Sequence, residues 1–179
     1  MTKQIILIAV LLLPTTQVLG DEVNTVENVD IEKYMGTWYE IQRIPNSFQK
    51  KCIGNVTANY TLKEDGNVRV VNSCLEQDGK TDTAKGLARV LDRETNAKLQ
   101  VSFVSLFGIY FFWGNYWILY LDEDYQNAVV GDPSKKYGWI LSRNSELTPE
   151  ELEPMYQALR NNGYDTADFV PTRQNIETE

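Results

Sequence analysis

The sequence predicts an all-β fold, a barrel or a sandwich, with a single helix near its C-terminus. Eight short runs rich in β-branched and aromatic residues follow one another, with turn residues between them. In several of these runs apolar and polar residues alternate, which places one face of each strand in a core and the other in water. One later run has instead the spacing of an amphipathic helix.

The first twenty residues are typical of a secretory signal peptide. Lys3 precedes an apolar run over residues 5–13, and small residues come before a cleavage site at Asp21. The apolar run is far shorter than the roughly 20 residues that span a bilayer. A buried N-terminal helix is the alternative interpretation. Because Asp21 and not a cysteine follows the leader, no lipid anchor is expected.

The leader is followed by a polar, acidic segment over residues 21–30, which we expect to form an extended arm. Residues 31–35 predict one helical turn. The strongest hairpin signal is Asp65-Gly66, between the second and third strands. The eight predicted strands are residues 37–44, 56–62, 68–74, 83–91, 99–106, 116–121, 126–131 and 138–143.

A capping box marks the start of the one long helix. Thr148 is the expected cap, Pro149 lies in the first turn, and Glu151 is three residues after the cap. Gly163 then provides a left-handed helix end. The apolar stripe of this helix consists of Leu152, Met155, Tyr156 and Leu159.

The chain of 179 residues has the length of one domain after its leader is removed. We assign residues 31–170 to this domain and residues 171–179 to a flexible tail. The 17 Lys and Arg residues are outnumbered by 25 Asp and Glu residues, which disfavours nucleic-acid binding. The chain contains no histidine, so a Ser-His-Asp triad, a Cys-His pair and histidine ligation of zinc or haem are excluded.

Two cysteines, Cys52 and Cys74, flank the predicted hairpin around Asp65-Gly66. In an oxidising compartment two cysteines most simply form one disulfide, and a loop of this length would stabilise the fold by about 3 kcal/mol. The alternative is a reactive thiol, which would require a cationic neighbour.

Two tripeptides match the N-glycosylation pattern, at Asn55 and at Asn59. The two asparagines have the same parity along the predicted strand, on its outward face. The pattern has meaning only in a cell that glycosylates exported proteins.

Three segments resemble the lipocalin family. They are residues 36–41 (Gly-Thr-Trp-Tyr-Glu-Ile), residues 122–130 (Asp-Glu-Asp-Tyr-Gln-Asn-Ala-Val-Val) and residues 139–143 (Trp-Ile-Leu-Ser-Arg). A Gly-x-Trp motif is weak alone, but the three segments in this order, before a C-terminal helix, are specific. The resemblance covers residues 31–170 and is closest to the branch of bacterial lipocalins and apolipoprotein D. Apolipoprotein D has two disulfides, whereas this chain can form only one.

The resemblance implies an eight-stranded up-and-down antiparallel barrel built around a ligand cavity. It also implies that Trp38 closes one end of the barrel and that Arg143 lies over its ring, a structural role for both. A guanidinium over an indole contributes about 0.5–2 kcal/mol and also satisfies nearby carbonyl groups.

Strand parity predicts which residues would line such a cavity. Small inward residues such as Gly86 and Ala88 leave room for a ligand, or equally for large neighbours in a filled core. Tyr60 is placed to offer a hydroxyl to a lipid head group. Each predicted ligand contact is also compatible with an ordinary core position; they are Ala58, Tyr60, Val70, Ala88, Val101, Phe103, Trp117, Leu119 and Trp139.

An aromatic loop over residues 106–114 is the most unusual local feature. Exposed apolar loops usually form binding surfaces, so this loop is a candidate for the cavity mouth, for a peripheral membrane contact or for a homodimer interface. The alternative is that it folds back as buried strand ends. Its aromatic residues are Phe107, Tyr110, Phe111, Phe112 and Trp113.

The leading functional hypothesis is an exported carrier, periplasmic or secreted, for a fatty acid, a lysophospholipid or another small lipid. The resemblance also implies a role in membrane upkeep. Two alternatives remain open at this point: an isomerase or synthase that uses a free cysteine, and a partner-binding or dimerising module that uses residues 106–114. The sequence indicates no cofactor and no metal.

Overall fold

The computed structural model describes residues 22–177; the predicted signal peptide lies outside this range. Eight of its strands form one closed antiparallel barrel. In chain order the strands are β1 (Gly36–Arg43), β2 (Cys52–Leu62), β3 (Val68–Glu76), β4 (Thr81–Val90), β5 (Lys98–Ser102), β6 (Val104–Leu106), β7 (Ile109–Phe111), β8 (Gly114–Leu121), β9 (Asn127–Gly131), β10 (Gly138–Ser142) and β11 (Val170–Pro171).

The barrel closes because β1 pairs with both β2 and β10. Trp38 lies opposite Ala58 on one side, and Tyr39 lies opposite Ser142 on the other. Each remaining barrel strand pairs with its neighbours in the up-and-down order, except that β6 and β7 stand outside the barrel between β5 and β8. The predicted eight-stranded up-and-down barrel is therefore confirmed, and the sandwich is excluded.

The predicted strand over residues 99–106 is wrong in one respect, because the chain leaves the barrel at Phe103. The barrel strand β5 ends at Ser102, and β6 pairs with β7 in a separate two-stranded hairpin. The Ser102 hydroxyl accepts a hydrogen bond from the Val104 N–H and donates one to the Phe111 carbonyl. This side chain thus replaces the strand pairing that would otherwise continue.

The N-terminal arm closes one end of the barrel. The Val26 N–H donates to the Ile118 carbonyl at 3.0 Å, and the Val29 N–H donates to the Thr95 carbonyl at 2.7 Å. Val29 is fully buried. The arm leads into a one-turn helix, α1 (Ile31–Tyr34), which Asp30 caps through two backbone N–H groups. We refer to this end as the closed end and to the opposite end as the open end.

The long helix α2 (Pro149–Asn161) packs on the outside of the barrel, as predicted. Both hydrogen bonds of the Thr148–Glu151 capping box are present, and Gly163 has a φ of +72° at the helix end. Met155 and Leu159 are fully buried against outward residues of the barrel strands. Burial of each such side chain stabilises the fold by about 1.5–3 kcal/mol. In the described part of the chain no helix has the length and apolarity to cross a membrane.

The segment predicted as a flexible tail, residues 171–179, is bound to the barrel over its described part. Strand β11 pairs with the end of β1, where β2 has already diverged. The Gln174 Nε2 donates to the carbonyls of Glu40 and Val56 at 2.7 and 3.0 Å. The sequence does not reveal this arrangement because the segment is polar, and its stability depends on backbone groups that irregular pairing in β2 leaves free.

Candidate ligand cavity

The barrel contains a cavity of about 670 Å³. Ligand pockets are typically 300–1,000 Å³ and mostly apolar, and this cavity lies within that range. Its lining is dominated by aliphatic and aromatic side chains from the inward faces of the strands. At the open end the exposed residues Phe48, Ala84 and Phe112 form part of its rim.

Seven of the nine predicted ligand contacts line this cavity: Ala58, Tyr60, Val70, Ala88, Val101, Phe103 and Trp139. The two interpretations of the small residues on β4 both hold, at different positions. Ala88 borders the cavity and leaves space there. Gly86 instead lies beneath the Phe103 ring, and a Cβ atom at this position would come within 2.8 Å of that ring.

The prediction is wrong for Trp117 and Leu119, which do not line the cavity. Leu119 packs on the outer side of the barrel in the cluster that includes α2, and Trp117 packs against the same cluster. Strand β8 is apolar on both faces because the helix covers its outer face, so alternation gives no signal there. A register shift between Ile118 and Tyr120 disturbs the parity further.

Tyr116 and Ile118 occupy the inward positions of β8 that the sequence analysis gave to Trp117 and Leu119. The opposite parity on this strand would have found both. Loop residues such as Phe48 and Tyr137 also border the cavity, and strand periodicity could not have found them. Other lining residues that the prediction missed are Met35, Val56, Val68, Leu99, Val130 and Leu141.

Trp38 and Arg143 close the floor of the barrel, in the arrangement that the resemblance implied. The Arg143 guanidinium lies 3.9 Å from the centroid of the fully buried Trp38 ring. The indole N–H donates to the Tyr34 carbonyl at 2.9 Å. Arg143 itself donates to five backbone carbonyls, those of Lys33, Tyr34, Met35, Thr37 and Tyr125.

A cluster of three tyrosines lies above this floor. The Tyr116 hydroxyl is 2.9 Å from the hydroxyls of both Tyr34 and Tyr60. Burial raises the pKa of Tyr60 to about 12, although the hydrogen bond from Tyr116 opposes this shift. Burial also raises the pKa values of Tyr34 and Tyr116. The cluster is therefore neutral at physiological pH, and the Tyr60 hydroxyl is engaged by Tyr116 at the floor, far from the rim.

Asn72 is an unsatisfied polar group in the cavity wall. It lies on β3 between Ala58 of β2 and Ala84 of β4. Its Oδ1 atom is buried and has no hydrogen-bond partner. Neither alanine can supply one. A buried acceptor without a partner costs about 1–3 kcal/mol, so this amide is a polar weak point in an otherwise apolar wall.

The charged groups of the cavity wall are acidic. Glu40, Asp82 and Asp132 belong to the lining, and the lining within the described residues includes no lysine or arginine. Glu40 is held by Arg43 at 2.8 Å and by the Gln49 Nε2 at 2.7 Å. The Lys51 Nζ lies 2.9 Å from Asp82, so the cations beside this wall are already paired with its own carboxylates.

Cys52 and Cys74 form a disulfide whose two residues both border the cavity. The predicted pairing is confirmed, and the described residues contain no free cysteine. The enzyme hypothesis that used a free cysteine as nucleophile is therefore wrong, because the two sulfur atoms are bonded to each other.

The candidate glycosylation site Asn55 is engaged within the fold. Its side chain exchanges two hydrogen bonds with the backbone of Ile176.

The predicted aromatic loop forms most of an exposed hairpin, residues 103–113, which we call the aromatic hairpin. Phe112 and Trp113 border the cavity, whereas Phe107, Tyr110 and Phe111 do not. Phe107 is 95% exposed and Phe112 is 86% exposed. The alternative of buried strand ends is therefore wrong. The Arg89 guanidinium lies 4.1 Å from the Trp113 ring at the base of the hairpin.

The family model of the lipocalin-like domain matches residues 29–174 of this chain. The chain belongs to the lipocalin family. This lipocalin is 37% identical over 156 residues to temperature-induced lipocalin-1 of Arabidopsis thaliana, an alignment that covers 86% of this chain and 83% of the plant protein. It is 36% identical to the outer membrane lipoprotein Blc of Escherichia coli K12 over 153 residues, 85% of this chain and 83% of Blc.

Apolipoprotein D of Mus musculus is 39% identical over 157 residues, which cover 83% of this lipocalin and 78% of the mouse protein. The resemblance to bacterial lipocalins and apolipoprotein D is thus confirmed. Among solved structures, insecticyanin of Manduca sexta superposes with a TM-score of 0.71 over 88% of this chain and 87% of its own. At 20% identity this likeness concerns the fold alone.

Proposed function

We propose that this lipocalin encloses the acyl chain of one small lipid in its barrel and carries or scavenges that lipid in the upkeep of membranes. The observation that supports this most is the apolar cavity of about 670 Å³, whose lining residue Tyr34 packs on the buried Trp38 with 4.9 Å between ring centroids. Each buried CH₂ group contributes about 0.8 kcal/mol, so a long chain binds without specific chemistry. The similarity to a protein named for the outer membrane supports the membrane role.

Of the two predicted lipid classes, the cavity wall favours a lysophospholipid over a free fatty acid. A fatty-acid carboxylate inside the barrel would lie near Glu40 and Asp82, which already engage Arg43 and Lys51, and the described lining includes no further basic residue to pair with it. A lysophospholipid can keep its charged head group at the open end. Its glycerol oxygens can hydrogen-bond with the side-chain amide of Asn72, which belongs to the cavity lining.

The disulfide supports action in an oxidising compartment, either a periplasm or an extracellular space. The predicted signal peptide agrees with this proposal from the sequence side. The second candidate function, a partner-binding or dimerising module, draws its support from the exposed aromatic hairpin. It concerns the same end of the barrel, and the oligomeric state of the wild-type protein and of the variant Phe107→Asn tests it.

Displacement of a cavity-bound fluorescent fatty acid by lysophosphatidylcholine tests the proposed function. We expect saturable binding to the wild-type protein, and at least about tenfold weaker binding to Ala84→Trp, because the indole would occupy the passage beside Asn72. Lys85→Trp is the matched control, since Lys85 is exposed and has the opposite parity on β4. Absence of saturable binding, or equal loss in both variants, would contradict a ligand inside the barrel.

A further inference from the structure

The aromatic hairpin exposes an unusually apolar surface at the rim of the cavity. Residues 103–113 include no charged residue. Leu106 and Ile109 are both 61% exposed, beside the almost fully exposed Phe107 at the tip. Four apolar side chains share one face of the ribbon through the cross-strand pairs Val104–Phe111 and Leu106–Ile109.

The stability of the folded chain does not explain the residue at the tip. Phe107 and Gly108 have φ angles of +51° and +80°, so the two-residue turn needs a positive φ at both positions. Such turns favour asparagine followed by glycine, and a bulky side chain is disfavoured there. Phe107 gains no burial in return, because 95% of it is exposed. A role outside the isolated fold accounts for an aromatic residue at this position.

We infer that the aromatic hairpin inserts into the interfacial region of a lipid bilayer and holds the open end of the barrel against the membrane. This inference rests on the proposed function for its purpose, since the docked cavity would face its source of lipid. Phe103, Val104, Phe112 and Trp113 belong both to the hairpin and to the cavity lining. Insertion of the tip therefore places the entrance at the bilayer surface.

The backbone of the hairpin is suited to an apolar environment. The pairs between β6 and β7 satisfy the backbone groups that face each other across the ribbon, and the Ser102 hydroxyl binds the Phe111 carbonyl at its base, while outward-facing groups can bond to water and head groups at an interfacial depth. Backbone groups that are already paired lose little when they leave water. The ring centroids of Tyr110 and Trp113 lie 6.1 Å apart, between the tip and the barrel. Tyrosine and tryptophan side chains favour the level of the lipid head groups.

The charge distribution favours the same orientation. The loops of the closed end carry most of the acidic excess, whereas lysines are concentrated in the loops of the open end. The two ends are separated by the length of the barrel strands, and salt at physiological strength screens charges beyond about 8 Å. The closed-end loops hold the acids Glu64, Asp65, Asp92, Glu94, Asp122, Glu123 and Asp124 against Lys63 and Arg93. The open-end loops hold Lys50, Lys51, Lys80, Lys135 and Lys136 against Asp78 and Asp132.

A bilayer fits this surface better than a protein partner does. The apolar surface is not confined to the face formed by the β6–β7 pairs, because Phe107 at the tip and Phe112 at the base are 95% and 86% exposed outside those pairs, and a flat protein face would leave part of this surface in water. A bilayer surrounds an inserted ribbon on all sides. A second copy of the chain is the alternative that the experiment must separate.

Sedimentation with phosphatidylcholine vesicles tests the inference through Phe107→Asn. This substitution creates the favoured Asn-Gly turn, so the hairpin is expected to keep its fold. Leu91→Asn is the matched control, since it removes a half-exposed apolar residue from the closed end. We expect the wild-type protein and Leu91→Asn to bind alike, and Phe107→Asn to bind at least about tenfold more weakly, because one aromatic anchor is lost. Raising the salt concentration should leave wild-type binding unchanged.

Equal vesicle binding by all three proteins would overturn the inference, as would binding that salt abolishes. A dimer that requires Phe107, without vesicle binding, would assign the hairpin to a protein interface instead. Lysophosphatidylcholine binding in vesicle-free solution separates the two proposals, because Phe107 does not line the cavity. Normal lysolipid binding by Phe107→Asn with lost vesicle binding supports docking, whereas vesicle binding without any lysolipid binding would refute only the carrier function.

Discussion

Arg143 is the residue on which the closed end of the barrel depends. It combines the stacking contact with Trp38 and hydrogen bonds to carbonyls of the α1 turn, of β1 and of the turn before β9. The sequence could predict the Trp38–Arg143 pair because both residues lie in motifs that resemble a known family. It could not predict Asn72, whose significance comes from the alanines that neighbour it across the sheet.

Replacement of Arg143 by alanine should lower the free energy of unfolding by about 3 kcal/mol, because the cation–π contact is lost and several carbonyls lose their donor. For a domain of this size the melting temperature should fall by roughly 6–12 °C. Arg89→Ala is the control, since Arg89 also lies over a tryptophan ring but is exposed. An equally small decrease in melting temperature for both variants would contradict the structural role of Arg143.

The buried tyrosines make stability depend on alkaline pH. Tyrosine has a pKa near 10 in an unfolded chain, whereas burial raises the pKa of Tyr60 and of Tyr164 to about 12 in the folded protein. Above pH of about 10 the unfolded state therefore releases protons that the folded state keeps, so stability falls as pH rises. Below pH of about 10 this contribution is fully present.

Urea unfolding should show nearly constant stability between pH of about 9 and 10, and above pH of about 10 a decline that approaches about 1.4 kcal/mol per pH unit for each buried tyrosine. Tyr60→Phe should reduce the slope by about one such contribution. Stability that stays constant above pH of about 10, or a slope that the substitution leaves unchanged, would contradict the assigned burial of the cluster.

At the scale of elements, the sequence predicts a strand well where one face meets water. Strand β4 alternates as expected, and its inward residue Ala88 lines the cavity. Strand β8 is covered by α2 on its outer face, so its apolar residues carry no parity and the inward set was misassigned. The capping box, in contrast, depends on three neighbouring residues, and it is found where predicted.

The C-terminal segment shows a second limit of local reasoning. Its residues are polar, and composition alone indicates a solvated tail. In the folded chain the Thr172 hydroxyl donates to the Glu40 carboxylate at 2.6 Å, and the Arg173 carbonyl accepts from the Asn55 N–H at 2.8 Å. These partners are more than a hundred residues away in the sequence, so only the tertiary structure brings them together.

At the scale of the whole molecule, the two ends of the barrel have different properties. The closed end is sealed by the arm, Trp38 and Arg143 and carries the acidic loops. The open end carries the disulfide, the unpartnered Asn72 just below the rim, and the aromatic hairpin. This arrangement supports the proposal that lipid enters the barrel through one end only.

Native mass spectrometry of the protein purified from its own host tests the central claim most directly. We expect one lipid per barrel, and denaturation should release a single-chain lipid with a polar head group, most simply a lysophospholipid. The same protein with Ala84→Trp should be recovered empty, whereas Lys85→Trp should retain the lipid. Wild-type protein that is uniformly empty, or that carries the same lipid in both variants, would contradict a binding site inside the barrel.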